Sequence, residues 1–172
     1  NNQIFNALMT TTVYHKGPAQ FGLLGSTLAI GSLIGALLNA RLPNGRTPEQ
    51  ITKFALLFGL SIALITYAPN YLSYACVLPI EGALAITTMV SANTFVQTHT
   101  DPRMRGRVMG IYLMVFLGGT PVGSPVVGWL STQLGIQETM RICGLITVIA
   151  ALVANLVLRQ KISRSELQER TV

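Results

Sequence analysis

Long runs without charged side chains constrain this chain more than any other feature. Asp, Glu, Lys and Arg are absent from residues 1–15, 17–40, 54–80, 82–100, 108–137 and 142–158. A helix needs about 20 apolar residues to cross the roughly 30 Å hydrocarbon core of a bilayer. The sequence therefore predicts an all-α integral membrane protein, with helices at about residues 1–14, 20–41, 52–69, 71–99, 107–134 and 139–159.

The composition excludes several classes of protein. Only 10% of the 172 residues are charged, against roughly 25% in ordinary soluble domains. So few charges could not cover the surface of a soluble enzyme or a nucleic-acid binder. The sequence contains no Ser-His-Asp set, phosphate loop or HExxH, and Cys76 and Cys143 lie in apolar runs without metal-ligand spacing. We therefore expect no enzyme, cofactor or metal site.

The first predicted helix is short, and the chain begins Asn-Asn-Gln without a Met. No positively charged stretch precedes this helix, so it does not resemble a signal peptide. We expect residue 1 to fall within a transmembrane helix of a longer protein.

The basic residues predict the orientation in the membrane. Ten of the 12 Lys and Arg residues lie in loops 41–53 and 99–107 or in the tail after residue 158. Cytoplasmic loops of membrane proteins carry such an excess. We therefore expect a multi-pass protein whose C-terminus, including tail 160–172, is cytoplasmic. The net charge of +6 is then a signal of topology and not of a nucleic-acid partner.

Glu81 is the only acidic residue inside a predicted helix. Ten helical residues separate it from the predicted outer end near Tyr71, which places it about 15 Å deep, close to the bilayer centre. A charge there costs at least ~2.5 kcal/mol unless it has a partner or faces a cavity. Glu81 is therefore a candidate proton- or substrate-binding carboxylate, with a protonated packing residue as the alternative.

A polar stripe follows Glu81 along the same helix. Thr87, Ser91, Thr94 and Thr98 are spaced so that they share one helical face. Such a stripe either lines a cavity or bonds to a neighbouring helix. We predict that these four residues contribute to substrate binding, and the packing alternative remains open.

Small residues recur in the second and fifth predicted helices. The pairs Gly31-x-x-x-Gly35 and Gly119-x-x-x-Gly123, the latter enclosing Pro121, predict close contacts between helices. Predicted helices one to three form one set and helices four to six a second set, and each set has a glycine-rich middle helix. The two sets run through the membrane in opposite directions. This is the arrangement of inverted three-helix repeats in secondary transporters.

The second basic loop contains a possible cytoplasmic gate. Arg105 and Arg107 could pair with Asp101 or with carbonyl groups at helix ends. The alternative is that they only determine topology, which we favour for Arg103. At the other side of the membrane, Glu138 and Arg141 are three residues apart and are expected to pair.

Two motifs make the sequence similar to the major facilitator superfamily. The stretch from Pro102 to Gly110, PRMRGRVMG, and the stretch from Phe116 to Gly123, FLGGTPVG, resemble the region around helix 11 of its bacterial drug and siderophore exporters. Residues 35–46 resemble the loop between helices 8 and 9, with Asn39 where an Asp often stands and with a Gly45-Arg46 pair. The resemblance covers essentially the whole chain, as the C-terminal six-helix half from mid helix 7 to helix 12.

This resemblance implies a twelve-helix transporter of the bacterial inner membrane that works by alternating access. It implies a small amphipathic molecule, a drug or a siderophore, as the substrate, protons as the coupling ion, and contacts with membrane lipid and a preceding six-helix half. The alternative is a non-transporting helical bundle or an assembly partner. An intact-mass measurement would separate the two, because a native product more than twice the 18.5 kDa of this chain favours the transporter.

Overall fold

The computed structural model describes residues 2–41 and 46–169, with side chains up to residue 158 and at residue 160. Six helical segments run through these residues. The first is α1 (Asn2–Leu8), which continues directly into a π-helical turn (Met9–Val13). The others are α2 (Pro18–Ala40), α3 (Pro48–Ile65), α4 (Tyr71–Thr98), α5 (Arg105–Leu134) and α6 (Ile136–Glu169).

Five of these helices are long and apolar enough to cross a membrane, namely α2 to α5 and the Ile136–Leu158 part of α6. Large apolar side chains are exposed along them, among them Leu33, Leu72 and Val122, the last 72% exposed. Lipid or further protein would cover such side chains, whereas water would not favour them. The prediction of an all-α membrane protein is confirmed.

Local signals explain where the observed helices begin and end. α3 begins at Pro48, where Thr47 and Gln50 form a capping box, and not near residue 52. α6 begins directly after Gly135, whose φ is +83°. It runs on to Glu169, beyond the predicted end at 159. Counting charges alone misses these boundaries, because caps are polar and helices continue into water.

Close backbone contact joins α2 to α4. A Cβ added to Gly31 would lie 1.9 Å from the carbonyl oxygen of Pro79, and one added to Gly35 would lie 2.6 Å from that of Ala83. On the opposite helix, a Cβ on Gly82 would lie 2.3 Å from the Leu28 carbonyl oxygen. Glycine is required at these positions because the two backbones leave no space for a side chain.

A second close pair joins α3 to α6. Gly59 and Gly144 face each other, and a Cβ on Gly144 would lie 2.7 Å from the Gly59 carbonyl oxygen. Near one end of this pair, Arg141 donates from Nε to the Thr66 hydroxyl at 3.0 Å. Near the other end, Asn155 donates to the Thr52 hydroxyl at 2.9 Å.

α5 differs from the sequence expectation. Gly119 has no atom of another helix within 4 Å of an added Cβ, Pro121 is exposed, and Gly123 is half-buried. Among the described side chains of α5, only Val127 is buried. A small-residue pair permits a close helix contact but does not specify the partner, and these six segments supply none at Gly119.

Candidate functional site

Glu81 lies in the middle of α4 and is only 2% exposed. Its position depends on the contact between α2 and α4, since Gly82 packs on Leu28 and Ser32, and Pro79 packs on Gly31. Pro79 lies inside the helix, where it cannot donate the usual backbone hydrogen bond. Two close backbone contacts therefore hold the chain on both sides of this carboxylate.

One oxygen of the Glu81 carboxylate, Oε2, is buried and has no hydrogen-bond partner in the described residues. Within the same residues, the only ion pair joins Arg141 to Glu138, as the sequence predicted, and it does not involve Glu81. An unpaired ionised carboxylate in an apolar interior is expensive. Glu81 thus needs a proton, a cation or a polar group from elsewhere in the protein.

Leu78 and Tyr74 lie on the same face of α4 as Glu81, one and two turns respectively toward the predicted outer side. Both side chains are 0% exposed. The Tyr74 hydroxyl donates a hydrogen bond to Oδ1 of Asn6 on α1 at 2.8 Å, and Asn6 is itself buried. Sequence analysis overlooked Asn6 and Tyr74. The available signals were an amide inside an apolar run and a tyrosine seven residues before the buried acid.

The rings of Tyr74, Tyr14 and Tyr71 lie close together, toward the predicted outer end of α4. The ring centroid of Tyr14 lies 5.6 Å from that of Tyr74 and 6.1 Å from that of Tyr71. The Tyr14 hydroxyl donates to the Ala68 carbonyl at 3.2 Å, and the Tyr71 hydroxyl donates to the Gln20 carbonyl at 2.8 Å. The three rings therefore pack together toward the predicted outer end, with the hydroxyls of Tyr14 and Tyr71 bonded to backbone and that of Tyr74 bonded to the Asn6 side chain.

The predicted polar stripe divides into two environments. Ser91 is 3% exposed and donates to Oδ1 of Asn39 on α2 at 3.1 Å, so its hydroxyl bonds to a neighbouring helix. Thr87, 5% exposed, lies one turn before Ser91 and one turn after Ala83, on the row that packs against α2. Thr94 is half-buried and Thr98 is exposed. Substrate binding stays a prediction for the four residues.

Asn39 is a polar junction that the sequence analysis did not identify. Besides Ser91, its Oδ1 accepts from Nε of Arg46 at 3.1 Å, while its Nδ2 donates to the Gly35 carbonyl at 2.8 Å. The guanidinium of Arg46 also lies 4.4 Å from the ring centroid of Phe54. This junction joins α2, α4 and the loop before α3. Gly45, the other half of the Gly-Arg pair, lies outside the described residues.

The proposed gate residues Asp101, Arg105 and Arg107 are all exposed. Oδ1 of Asp101 accepts a hydrogen bond from the backbone N–H of Arg103 at 2.8 Å, which closes a turn before α5. None of the three forms an ion pair within the described part of the chain. A gate built on them requires a partner from elsewhere in the protein, and that role stays a prediction.

A cavity of about 660 Å³ lies between α1, α3, α4 and α5, within the size range of small-molecule sites. Its wall is mostly apolar, with Phe58, Met89 and Phe116, and it includes the hydroxyl-bearing residues Thr88, Thr120 and Ser124. Glu81 is not among its lining residues. The buried carboxylate and the cavity are thus separate features.

Comparisons with known proteins agree on the family. The family model of the Major Facilitator Superfamily matches residues 1–171. The chain is 27% identical over 146 residues to the enterobactin exporter EntS of Salmonella paratyphi A (strain ATCC 9150 / SARB42), covering 84% of this chain and 35% of that protein. It is 25% identical over 146 residues to EntS of Citrobacter koseri (strain ATCC BAA-895 / CDC 4225-83 / SGSC4696), with the same coverage.

It is also 26% identical over 122 residues to EntS of Shigella flexneri, covering 70% of this chain and 30% of that protein. The chain thus spans about a third of the length of these relatives. No solved structure gives a significant match. The family match over nearly every residue, which the five helices long and apolar enough to cross a membrane accompany, shows that this chain belongs to the major facilitator superfamily.

Proposed function

We propose that the full-length protein exports a small amphipathic molecule, a drug or a siderophore, across the bacterial inner membrane. Transport would be proton-driven and would use alternating access. This chain would form the C-terminal six-helix half, with a cytoplasmic C-terminus and a preceding six-helix half as its partner. The family match and the relatives named as enterobactin exporters support this proposal.

The burial of Glu81 is the observation that supports proton coupling in this proposal. A carboxyl group that is 2% exposed and has one unpartnered oxygen is most stable in the apolar interior when it carries a proton. If alternating access brings water to it, the proton can leave. Cyclic burial and hydration of one carboxyl group would therefore couple proton movement to the conformational change.

The separation between Glu81 and the cavity favours a proton over a cationic substrate as the ligand of Glu81. A substrate in the cavity would contact apolar side chains and hydroxyl-bearing residues, which suits an amphipathic molecule. It would not contact the carboxylate directly, because Glu81 does not line the cavity. We therefore propose that the cavity wall contacts the substrate and that Glu81 exchanges protons. Substrate binding by the polar stripe, which does not line this cavity, is a separate prediction.

Substituting Glu81 tests the proposal. Glu81→Gln keeps the shape of the side chain but cannot exchange a proton, and we expect uncoupler-sensitive export to be lost or strongly reduced. The assay follows efflux of dyes, macrolides and siderophores from cells that lack their own pumps, with and without an uncoupler. Glu138→Gln, which alters an exposed acid of the same chain, is the matched control.

Two results would contradict the proposal. Export by Glu81→Gln at the wild-type rate, with unchanged sensitivity to the uncoupler, would remove the role of Glu81. Absence of export of any tested compound, from wild-type protein shown to be in the membrane, would favour an importer or a protein that does not transport.

A further inference from the structure

We propose that Asn6, Tyr14 and Tyr74 form a latch that closes the predicted outer side of Glu81, and that the π-helical turn of the first helix operates it. These three residues are called the outer latch below. The inference rests on the proposed function, because the latch would control when the Glu81 carboxyl group meets water from outside.

The position of Tyr74 makes it a barrier above Glu81. Seven residues separate the two along α4, so Tyr74 lies about 10 Å closer to the outer end and within about 20° of the same face. Leu78 fills the turn between them, and neither Tyr74 nor Leu78 is exposed. Water that approaches Glu81 along this face from the outer side must displace Tyr74 first.

Two residues of the first helix hold Tyr74 in place. Asn6, before the π-helical turn, accepts the hydrogen bond from the Tyr74 hydroxyl at 2.8 Å. Tyr14, directly after that turn, packs its ring against Tyr74 with centroids 5.6 Å apart. Tyr74 is thus contacted by one residue before the π-helical turn and by one residue after it.

The π-helical turn is what allows both contacts. On a regular α-helix, eight residues at about 100° each would leave Asn6 and Tyr14 about 80° apart. Here the Tyr14 N–H donates to the Met9 carbonyl five residues earlier, at 3.0 Å, so the turn accommodates one additional residue. The effective spacing becomes seven residues, which places Asn6 and Tyr14 about 20° apart.

The sequence of this turn also lowers the cost of rearranging it. Thr10, Thr11 and Thr12 each donate a hydroxyl hydrogen bond to the carbonyl four residues earlier, the acceptors being those of Asn6, Ala7 and Leu8. Such bonds from a threonine hydroxyl to the carbonyl four residues earlier compete with the backbone ladder and slightly destabilise or bend a regular helix. Rewinding to a regular α-helix would rotate Tyr14 away from Tyr74 while Asn6 stays, which opens the outer latch.

Chemical labelling of Glu81 in the full-length protein tests this inference. Right-side-out vesicles are treated with a water-soluble carbodiimide and an amine, and amide formation at Glu81 is followed by peptide mass spectrometry. Tyr74→Phe keeps the ring but loses the hydrogen bond to Asn6, and we expect labelling at least threefold faster than in wild type. Asn6→Ala should have the same effect.

The chain offers two matched controls. Tyr71→Phe removes a hydroxyl from the same aromatic group, but that hydroxyl bonds to the Gln20 backbone, so Glu81 should be labelled at the wild-type rate. Exposed Glu138, predicted on the outer side, should react equally in every variant. Wild-type labelling of Glu81 in both folded variants, Tyr74→Phe and Asn6→Ala, would overturn the latch.

Deleting Thr11 is a second test that does not weaken the contacts. The side chain is exposed, and its hydroxyl bonds only within its own helix. With one residue fewer, a regular α-helix keeps Asn6 and Tyr14 on one face, so the latch should stay closed and labelling should not exceed wild type. Faster labelling would contradict the inference. Labelling does not depend on transport, so the proposal of an outer latch and the proposal of proton exchange at Glu81 can be contradicted independently.

Discussion

At the scale of single residues, the molecule places a few polar side chains in an apolar interior and gives nearly all of them a partner. Asn6 meets Tyr74, Asn39 meets Ser91, and one oxygen of Glu81 has no hydrogen-bond partner in the described part of the chain. The sequence identified Glu81 because a lone acid stands out in an apolar helix. It could not identify the amides, because their importance depends on partners about 50 to 70 residues away.

Asn39 provides a prediction at this scale. Asn39→Leu removes three hydrogen bonds, to Ser91, Arg46 and the Gly35 carbonyl, each worth about 0.5–1.5 kcal/mol. We expect the free energy of unfolding of the full-length protein in detergent to fall by about 2–4 kcal/mol. Asn39→Asp, which keeps the acceptor of Arg46 and Ser91, should lose less.

Asn93→Leu is the control for this substitution. Asn93 is a half-buried amide whose hydrogen bond, to Gln97, stays within α4, so its replacement should change the free energy of unfolding by under about 1 kcal/mol. Equal stability of Asn39→Leu and Asn93→Leu would show that the junction at Asn39 contributes nothing beyond local helix bonds.

At the scale of helices, the spans were predictable and their irregularities were not. A bilayer excludes charges, so charge-free runs give the approximate positions of the helices. The π-helical turn leaves no trace in such a count, because its threonines are as uncharged as the residues around them. The glycine pair of α2 has the same pattern as that of α5, yet Gly31 and Gly35 meet a backbone whereas Gly119 faces open space among the described helices.

Gly31 tests the contact between α2 and α4. Gly31→Ala would place a methyl group 1.9 Å from the Pro79 carbonyl oxygen, so the helices must separate, and we expect a loss of about 1–3 kcal/mol or more. Gly25→Ala in the same helix meets nothing within 4 Å and should be neutral or stabilising, since alanine favours helix. Thermal unfolding of both full-length variants measures the difference, and similar melting temperatures would contradict the packing.

At the scale of the whole molecule, α5 is the helix with the fewest buried side chains. Its exposed apolar residues include Met114, Val115 and Val122, each above 70%. Exposure on this scale, together with coverage of only a third of the relatives' length, fits the proposal that a further half packs against this one. Sequence reasoning could not assign that contact, because its other side lies outside the chain.

A pair of adjacent glycines tests how α5 is covered in the full-length protein. Gly118 and Gly119 both face open space here, but they point about 100° apart. If the face with Gly119 and Gly123 meets a partner helix, Gly119→Leu should destabilise the full-length protein by about 1–3 kcal/mol. Gly118→Leu should be nearly neutral. Equal effects in thermal unfolding would show that this face is not a packing surface.

The two close helix pairs also have a consequence for biosynthesis. Gly82 meets residues of α2 about 50 positions earlier, and Gly144 meets Gly59, which lies 85 positions earlier, so the pairs interleave along the chain. If the helices leave the translocon in order, α2 enters the lipid before α4 is synthesised, and α3 enters it before α6 is synthesised. Each must therefore persist in the bilayer as a single span, and each is apolar enough to do so. The glycine contacts then form only after insertion, so a substitution there would impair assembly of helices that have already entered the membrane.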